Sequence, residues 1–253
     1  MAIEYFISFP CEFRKQYGNE KLLEMAKAEG RAEIALALLR QTPGEHQNKP
    51  ESEWRINLHQ LTPDGEEEVS VKITDLLAAS APMKEFADHC QNCPANLSKV
   101  PFGCGGTINY PLLAQTEKFL LFRLPNDLQS KSGQFLLDVL QHGNNGLWAD
   151  SQRQNLFESQ RPFFRTWGGF FSKKTRISSS QIFDLMFNVP PVVPSKYVRV
   201  ICYALGYIDD SEQAVPQDFT GTNNALSNLS QMKQFLQAAV FAAVNNLDMY
   251  IES

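Results

Sequence analysis

The feature that most constrains this chain is the order in which its hydrophobic periodicity changes over residues 1–111. Ile3, Tyr5, Ile7 and Phe9 alternate with Glu4, Phe6 and Ser8, the two-residue period of a strand with one strongly buried face. Leu22, Met25, Ala28, Ala32, Ala35, Leu36 and Leu39 then recur at steps of three and four, with Glu24, Lys27 and Arg31 on the opposite side, which predicts an amphipathic helix. A polar loop with Pro43, Gly44 and Pro50 follows. Trp54, Ile56 and Leu58 restore the alternation, and Val69, Val71 and Ile73 repeat it beyond Thr62-Pro63-Asp64-Gly65. That tetrapeptide has turn chemistry, because proline presets its own dihedral and glycine accepts positive φ, so the two runs predict a hairpin. Thr74 and Asp75 are placed to cap a second helix through Leu76, Leu77, Met83 and Phe86, which Pro82 is expected to split. A short apolar segment at 107–110 closes the set before Pro111.

Strand, helix, strand, strand, helix, strand is the split βαβ order of a ferredoxin-like (βαββαβ) sandwich, so the fold class expected is α+β. Residues 112–253 read differently. Helices are predicted at 112–124 (Leu113, Phe119, Leu120, Phe122), at 132–141, briefly at 153–158, and after a cap at Ser179 or Ser180. The run at 197–205 is compatible with helix or strand, and residues 223–250 keep steps of three or four up to Tyr250, which predicts one long helix. The expected organisation is therefore an α+β sandwich over 1–111 and a mainly helical region over 112–253. No Gly/Ser-rich linker separates them, so one packed body is compatible with the sequence.

In a sandwich of that order, the first strand, the second helix and the fourth strand bring Cys11, Cys90, Cys93 and Cys104 to one sheet edge. Cys90-Gln91-Asn92-Cys93 is a C-x2-C knuckle, a spacing that lets two thiolates reach one ion. Cys104 lies in Phe102-Gly103-Cys104-Gly105-Gly106, where glycines permit a tight turn around a bound ion. The expectation is a four-cysteine metal centre. Zinc stands ahead of an iron–sulfur (4Fe–4S) cluster, because the compact cysteine run of bacterial ferredoxins is missing. His89 adjoins Cys90 and would have to bend back sharply to replace Cys11 as a ligand. A thiol-disulfide oxidoreductase fits less well, because its C-x2-C opens a helix and this one follows a helix. Cys202, inside an apolar run, is expected in the core.

The chain has no G-x4-G-K-S/T loop, no G-x-G-x2-G fingerprint, no G-x-S-x-G elbow and no H-E-x2-H. Its four histidines are scattered at 46, 59, 89 and 142, which gives a histidine relay little support. One segment stands apart: Arg161, Arg165, Lys173, Lys174 and Arg176 occur with no acidic residue between them, interleaved with Phe163, Phe164, Trp167, Phe170 and Phe171. Cations attract phosphates and exposed rings stack bases, so Arg161, Arg165, Trp167, Lys173, Lys174 and Arg176 are candidate ligand contacts. A loop of buried rings and solvated charges is the plainer alternative.

Residues 1–111 carry 11 basic against 16 acidic side chains and residues 112–253 carry 12 of each, so the net charge of −5 lies in the first half and argues against a generally basic nucleic-acid binder. No apolar stretch reaches the roughly 20 residues of a membrane span. The opening residues lack a basic and then apolar leader, so a cytoplasmic setting with reduced thiols is expected. Together these readings predict a non-enzymatic metal protein of an assembly or regulatory complex, with a protein partner. The alternatives are an iron–sulfur enzyme or electron carrier, and a nucleic-acid or nucleotide binder working through 161–176.

Overall fold

Residues 2–62, 65–168, 174–216 and 227–252 are described by the computed structural model, in which the chain forms two units: residues 10–93, and residues 1–9 with 94–253. Pro111 lies inside the second of these. β1 (Ala2–Ile7) opens the chain in the extended form its alternation predicts. Both of its faces are covered, since Ile3, Tyr5 and Ile7 on one side and Phe6 on the other are all buried.

The 10–93 unit is built from two helices and a hairpin. α1 (Glu12–Gln41) starts ten residues ahead of its periodic stretch and is kinked at Gly18, whose φ of 77° suits glycine. Its buried residues include Leu22, Met25, Ala28, Ala32 and Ala35, the stripe expected from the sequence. β2 (Arg55–Thr62) and β3 (Gly65–Lys72) pair antiparallel from Arg55↔Lys72 to Thr62↔Gly65. Pro63 and Asp64 of the predicted turn lie outside the described residues. α2 (Ile73–Phe86) begins directly from β3, so Lys72 takes the cap position ahead of Thr74 and Asp75. It also runs unbroken through Pro82. The ring removes only the bond that the Ala78 carbonyl would have received, and a single turn follows it. Ala28, Ala32, Ala35, Trp54, Ile73 and Leu76 form the core of this unit, with Ile56 and Val71 of the hairpin packed against it. The far ends of the helices meet through Phe13 and Phe86, so α1 and α2 run antiparallel.

In the other unit, β4 (Gly105–Asn109) pairs with β1, and the elements that follow are mainly helical. They are α3 (Ala114–Arg123), α4 (Lys131–Gln141), α5 (Leu147–Ser151), α6 (Arg153–Leu156), β5 (Phe164–Trp167), β6 (Thr175–Ser178), α7 (Ser179–Phe187), β7 (Val192–Val193), α8 (Ser195–Ala204), α9 (Asn228–Val244) and β8 (Met249–Glu252). α7 is buried on every side, as a central helix must be, and starts from a capping box in which Ser178 and Gln181 exchange hydrogen bonds. The cap is thus one residue before the expected Ser179 or Ser180. Around α7 the rings of Phe157, Phe183, Phe187 and Phe235 follow one another at centroid distances of 4.7–4.9 Å, and Tyr5 meets Phe235 at 5.1 Å.

The sheet order is β4-β1-β8-β7, antiparallel throughout. The fold is therefore α+β with a four-stranded antiparallel sheet, but its ladders are not those of a ferredoxin-like sandwich. That arrangement needs β2 and β3 in the sheet with β1 and β4. Here β2 and β3 pair with each other and turn Ile56 and Val71 to their own helices, while β8 occupies the free edge of β1. The predicted helix over 223–250 is accordingly shorter. Residues 223–226 lie outside the described residues, and α9 stops at Val244, where Asn246 adopts a φ of 54°. Leu247 then leads into β8, so Tyr250 is a strand residue.

Candidate functional site

Cys11 immediately precedes α1, and its carbonyl accepts a hydrogen bond from the Lys15 N–H at 3.0 Å. Cys90 ends a single helical turn, Ala87–Cys90, that extends α2, and the Cys93 N–H donates to the Cys90 carbonyl at 3.2 Å, closing the knuckle. Because the helices are antiparallel, the start of α1 and the end of α2 share one end of the 10–93 unit. Phe13 stands edge-on to Phe86 at 5.3 Å, Phe86 lies 5.9 Å from His89, and the Glu12 carboxyl is drawn below its usual range by Lys15 first and by the His89 charge in addition. Cys11, Cys90 and Cys93 are all half-buried, and all five cysteines are thiols rather than disulfides. Among the described residues, no three His, Cys, Asp or Glu side chains are gathered as a ready metal cage.

Cys104 belongs to the other unit, where its carbonyl accepts from the Ile7 N–H at 2.9 Å and extends the β1–β4 ladder. The glycines beside it have a packing role. A Cβ on Gly105 would collide with the Phe6 ring, and one on Gly106 would come within 2.6 Å of the Tyr5 hydroxyl. The loop before it is folded on itself, with Leu97 N–H donating to the Gly103 carbonyl at 3.1 Å and Gly103 N–H to the Val100 carbonyl at 3.0 Å. Cys202 is buried on α8 and its thiol is pushed far up by desolvation, as suits a core residue.

The basic-aromatic segment is a hairpin of β5 and β6 in which two residues treated as ligand contacts hold the structure together. Arg165 donates to the carbonyls of Leu121, Phe122 and Leu124 at 2.6–3.0 Å and to Asn126 Oδ1 at 2.7 Å, so its guanidinium caps the C-terminal end of α3. Burial lowers its pKa from the ordinary arginine value. Trp167 donates its indole N–H to the Pro125 carbonyl at 3.1 Å on the same inner face. The strand alternation puts Phe164 and Thr166 on the outer face, where Arg176 lies 3.4 Å above the Phe164 ring. Arg161, Lys174 and Arg176 are exposed, and Lys173, Phe170 and Phe171 lie outside the described residues. Two side chains of α3 that were not among the candidate contacts join this outer face. Lys118 sits 4.8 Å from the Phe163 ring, and Phe122 is 77% exposed.

Behind this face lies a buried polar network that periodicity could not show. Glu117 is fully buried, and its Oε2 accepts from Arg153 at 3.0 Å and from the Ser179 hydroxyl at 2.6 Å. Arg153 also donates to Ser180 Oγ at 2.8 Å and to the Ser159 carbonyl at 2.9 Å, and Ser180 donates to Asp150 at 2.6 Å. Two serine hydroxyls thus donate to carboxylates, and Ser179, Ser180 and Glu117 are all buried away from solvent. The hydroxyls serve a buried ion pair that ties α3, α6 and α7 together.

These features define an α+β protein with one thiol-rich helix end and one basic, aromatic face. Comparison with protein-family models, with curated proteins and with solved structures finds no match for the chain. No helix among the described residues is long and apolar enough to cross a membrane.

Proposed function

We propose that Cys11, Cys90, Cys93 and Cys104 bind a metal ion, zinc ahead of an iron–sulfur cluster, in a non-enzymatic protein that works within a protein assembly or regulatory complex in the cytoplasm. The observation that carries the reading is the antiparallel pairing of α1 and α2, which brings Cys11 and the Cys90–Cys93 knuckle to the same end of one unit. Cys104 lies in the other unit, and its place in the ligand set rests on the sequence. Binding of a structural zinc contributes roughly 10–16 kcal/mol in small zinc domains, enough to draw half-buried thiols and their short turns into a tetrahedron. A partner is supported by α1, where Ile34 and Leu38 lie one turn apart and are 64% and 59% exposed.

The test is elemental analysis and an absorption spectrum on protein purified without oxygen. One zinc per chain and no visible colour are expected. Cys11→Ser, Cys93→Ser and Cys104→Ser should each lose the ion, while Cys202→Ser and His89→Ala keep it. A chain without stoichiometric metal, or a Cys93→Ser variant that retains it fully, refutes the proposal. A brown protein with iron and sulfide transfers the same ligands to the cluster alternative, and retention by Cys104→Ser alone confines the site to the 10–93 unit.

A further inference from the structure

We propose that the outer face formed by α3 and the β5–β6 hairpin is a binding site for single-stranded nucleic acid. The proposal is independent of the thiol site and lies within one unit.

The first ground is uncompensated charge. Several exposed cations of the chain are matched, namely Lys15 with Glu12, Lys21 with Glu24, Arg40 with Glu51, Lys131 with Asp210 and Arg199 with Glu212, at 2.7–2.8 Å, and others such as Lys84 and Lys196 stand singly. On this face Lys118, Lys174 and Arg176 are exposed and gathered around one groove, with no described carboxylate within ion-pair distance of any of them. A chain of net charge −5 thus carries a local positive field here. The second ground is a pair of exposed rings. An open groove of about 510 Å³ lies between α3 and β5, lined by Lys118, Phe122, Phe163, Phe164 and Thr166 among others. Phe122 is 77% and Phe164 43% exposed. Phe164 is stacked on one ring face by the Arg176 guanidinium, and Phe122 is held from behind by the helix end that Arg165 caps.

Fixed rings beside unmatched cations suit a ligand that presents planar bases and phosphates along one strand. A duplex keeps its bases stacked inward and an acidic peptide has no planar rings to offer, so the single strand is the occupant that uses both features. The direct contacts differ from the sequence expectation: Lys118 and Phe122 enter, while Arg165 and Trp167 position the surface from behind.

The test uses the full chain and fluorescein-labelled dT20 and U20, read by fluorescence anisotropy. If three cations each neutralise a phosphate, affinity should fall about 18-fold between 50 and 200 mM salt, since the logarithmic slope is about −0.7 per phosphate for single strands. Lys118→Ala with Lys174→Ala should reduce that to about three-fold. Phe122→Ala, at an exposed position that leaves the fold intact, should weaken binding about ten-fold at constant salt, within the range for one stacked base. The dT20 and U20 arms decide between DNA and RNA. Undetectable binding at 50 mM salt overturns the proposal. So does equal affinity for a duplex, equally strong competition by polyglutamate, or indifference to Phe122→Ala, because a polyanion patch or an acidic protein partner then explains the charge.

Discussion

Arg153→Met tests the packing logic of the sheet-bearing unit most directly. The guanidinium is 5% exposed and supports Glu117, Ser180 and the Ser159 carbonyl, and it also lies 4.0 Å from the Phe157 ring centroid. Methionine restores most of the apolar contact with Phe157 but none of the hydrogen bonds. Glu117, with no exposed surface, then keeps only the Ser179 hydroxyl. Leaving one member of a buried ion pair uncompensated costs about 3–5 kcal/mol. The urea midpoint should therefore fall by about 1–2 M if the unit unfolds with a slope of about 3 kcal/mol per molar. Trp148 and Trp167, both in this unit, give the fluorescence signal. Removing both charges is less damaging than removing one, because desolvation no longer has to be offset. Glu117→Leu with Arg153→Met should cost about 0–2 kcal/mol, chiefly from the Ser179 and Ser180 hydroxyls that lose partners. The two sites should thus couple by at least about 2 kcal/mol. A single-variant loss below about 1 kcal/mol, or additivity within about 0.5 kcal/mol, would refute the buried pair.

Asp184 is almost fully buried, and desolvation raises its pKa from the ordinary 3.8, against the amides of Ala149, Gly146 and Trp148 that lower it and with Asp150 adding a small upward push. A raised value means that the folded state holds the proton to higher pH than the unfolded state does. The stabilising contribution is fully present below the unfolded value and is lost as pH rises through the folded one. Asp184→Asn should therefore gain on the wild type in urea midpoint between pH 3.5 and pH 7, and a difference independent of pH sinks the argument. Gly105→Ala should destabilise the unit by about 1–3 kcal/mol, because its methyl enters the space of the Phe6 ring. The loss should persist with a chelator present; a loss seen only in metal-loaded protein assigns the glycine to the ion instead.

Much of the local structure was legible, because it depends on spacing within a few residues. The apolar stripe of α1, the β2–β3 hairpin, α3, α4 and the buried place of Cys202 all follow from periods that a window of the sequence contains. Strand partners did not follow. Alternation shows that Ile56, Leu58, Val69 and Val71 belong to strands, yet whether the hairpin joins β1 or packs on its own helices depends on which apolar surface is still uncovered. That surface was supplied by Ala28, Ala32, Ala35 and Trp54 in one unit, and by β8 from the other end of the chain in the second. β8 was hidden because Leu247 and Tyr250 continue the three-and-four rhythm of α9. Asn245-Asn246 was the available stop signal, as asparagine tolerates the left-handed conformation that ends helices.

The candidate site residues divide along the same line. A C-x2-C knuckle is a local pattern, so Cys90 and Cys93 stand out in the sequence, and the antiparallel helices place Cys11 at their end by a route other than the predicted sheet edge. The glycines around Cys104 are ambiguous locally, because a tight turn and a close ring demand the same missing Cβ, and only the position of Phe6 gives them a packing role. Charge has a comparable ambiguity. Arg165 and Arg176 are alike in sequence, but strand alternation sends Arg165 inward to the carbonyls of α3 and leaves Arg176 outside over Phe164. Three carbonyls at the end of α3 take the N–H groups of one terminal nitrogen of Arg165 and hold its guanidinium inward, whereas the ammonium of Lys118, drawn from a helix some forty residues away, is left exposed. Which cations of a basic segment can meet a ligand is therefore decided by the backbone acceptors that reach them first, and those acceptors come from elsewhere in the chain.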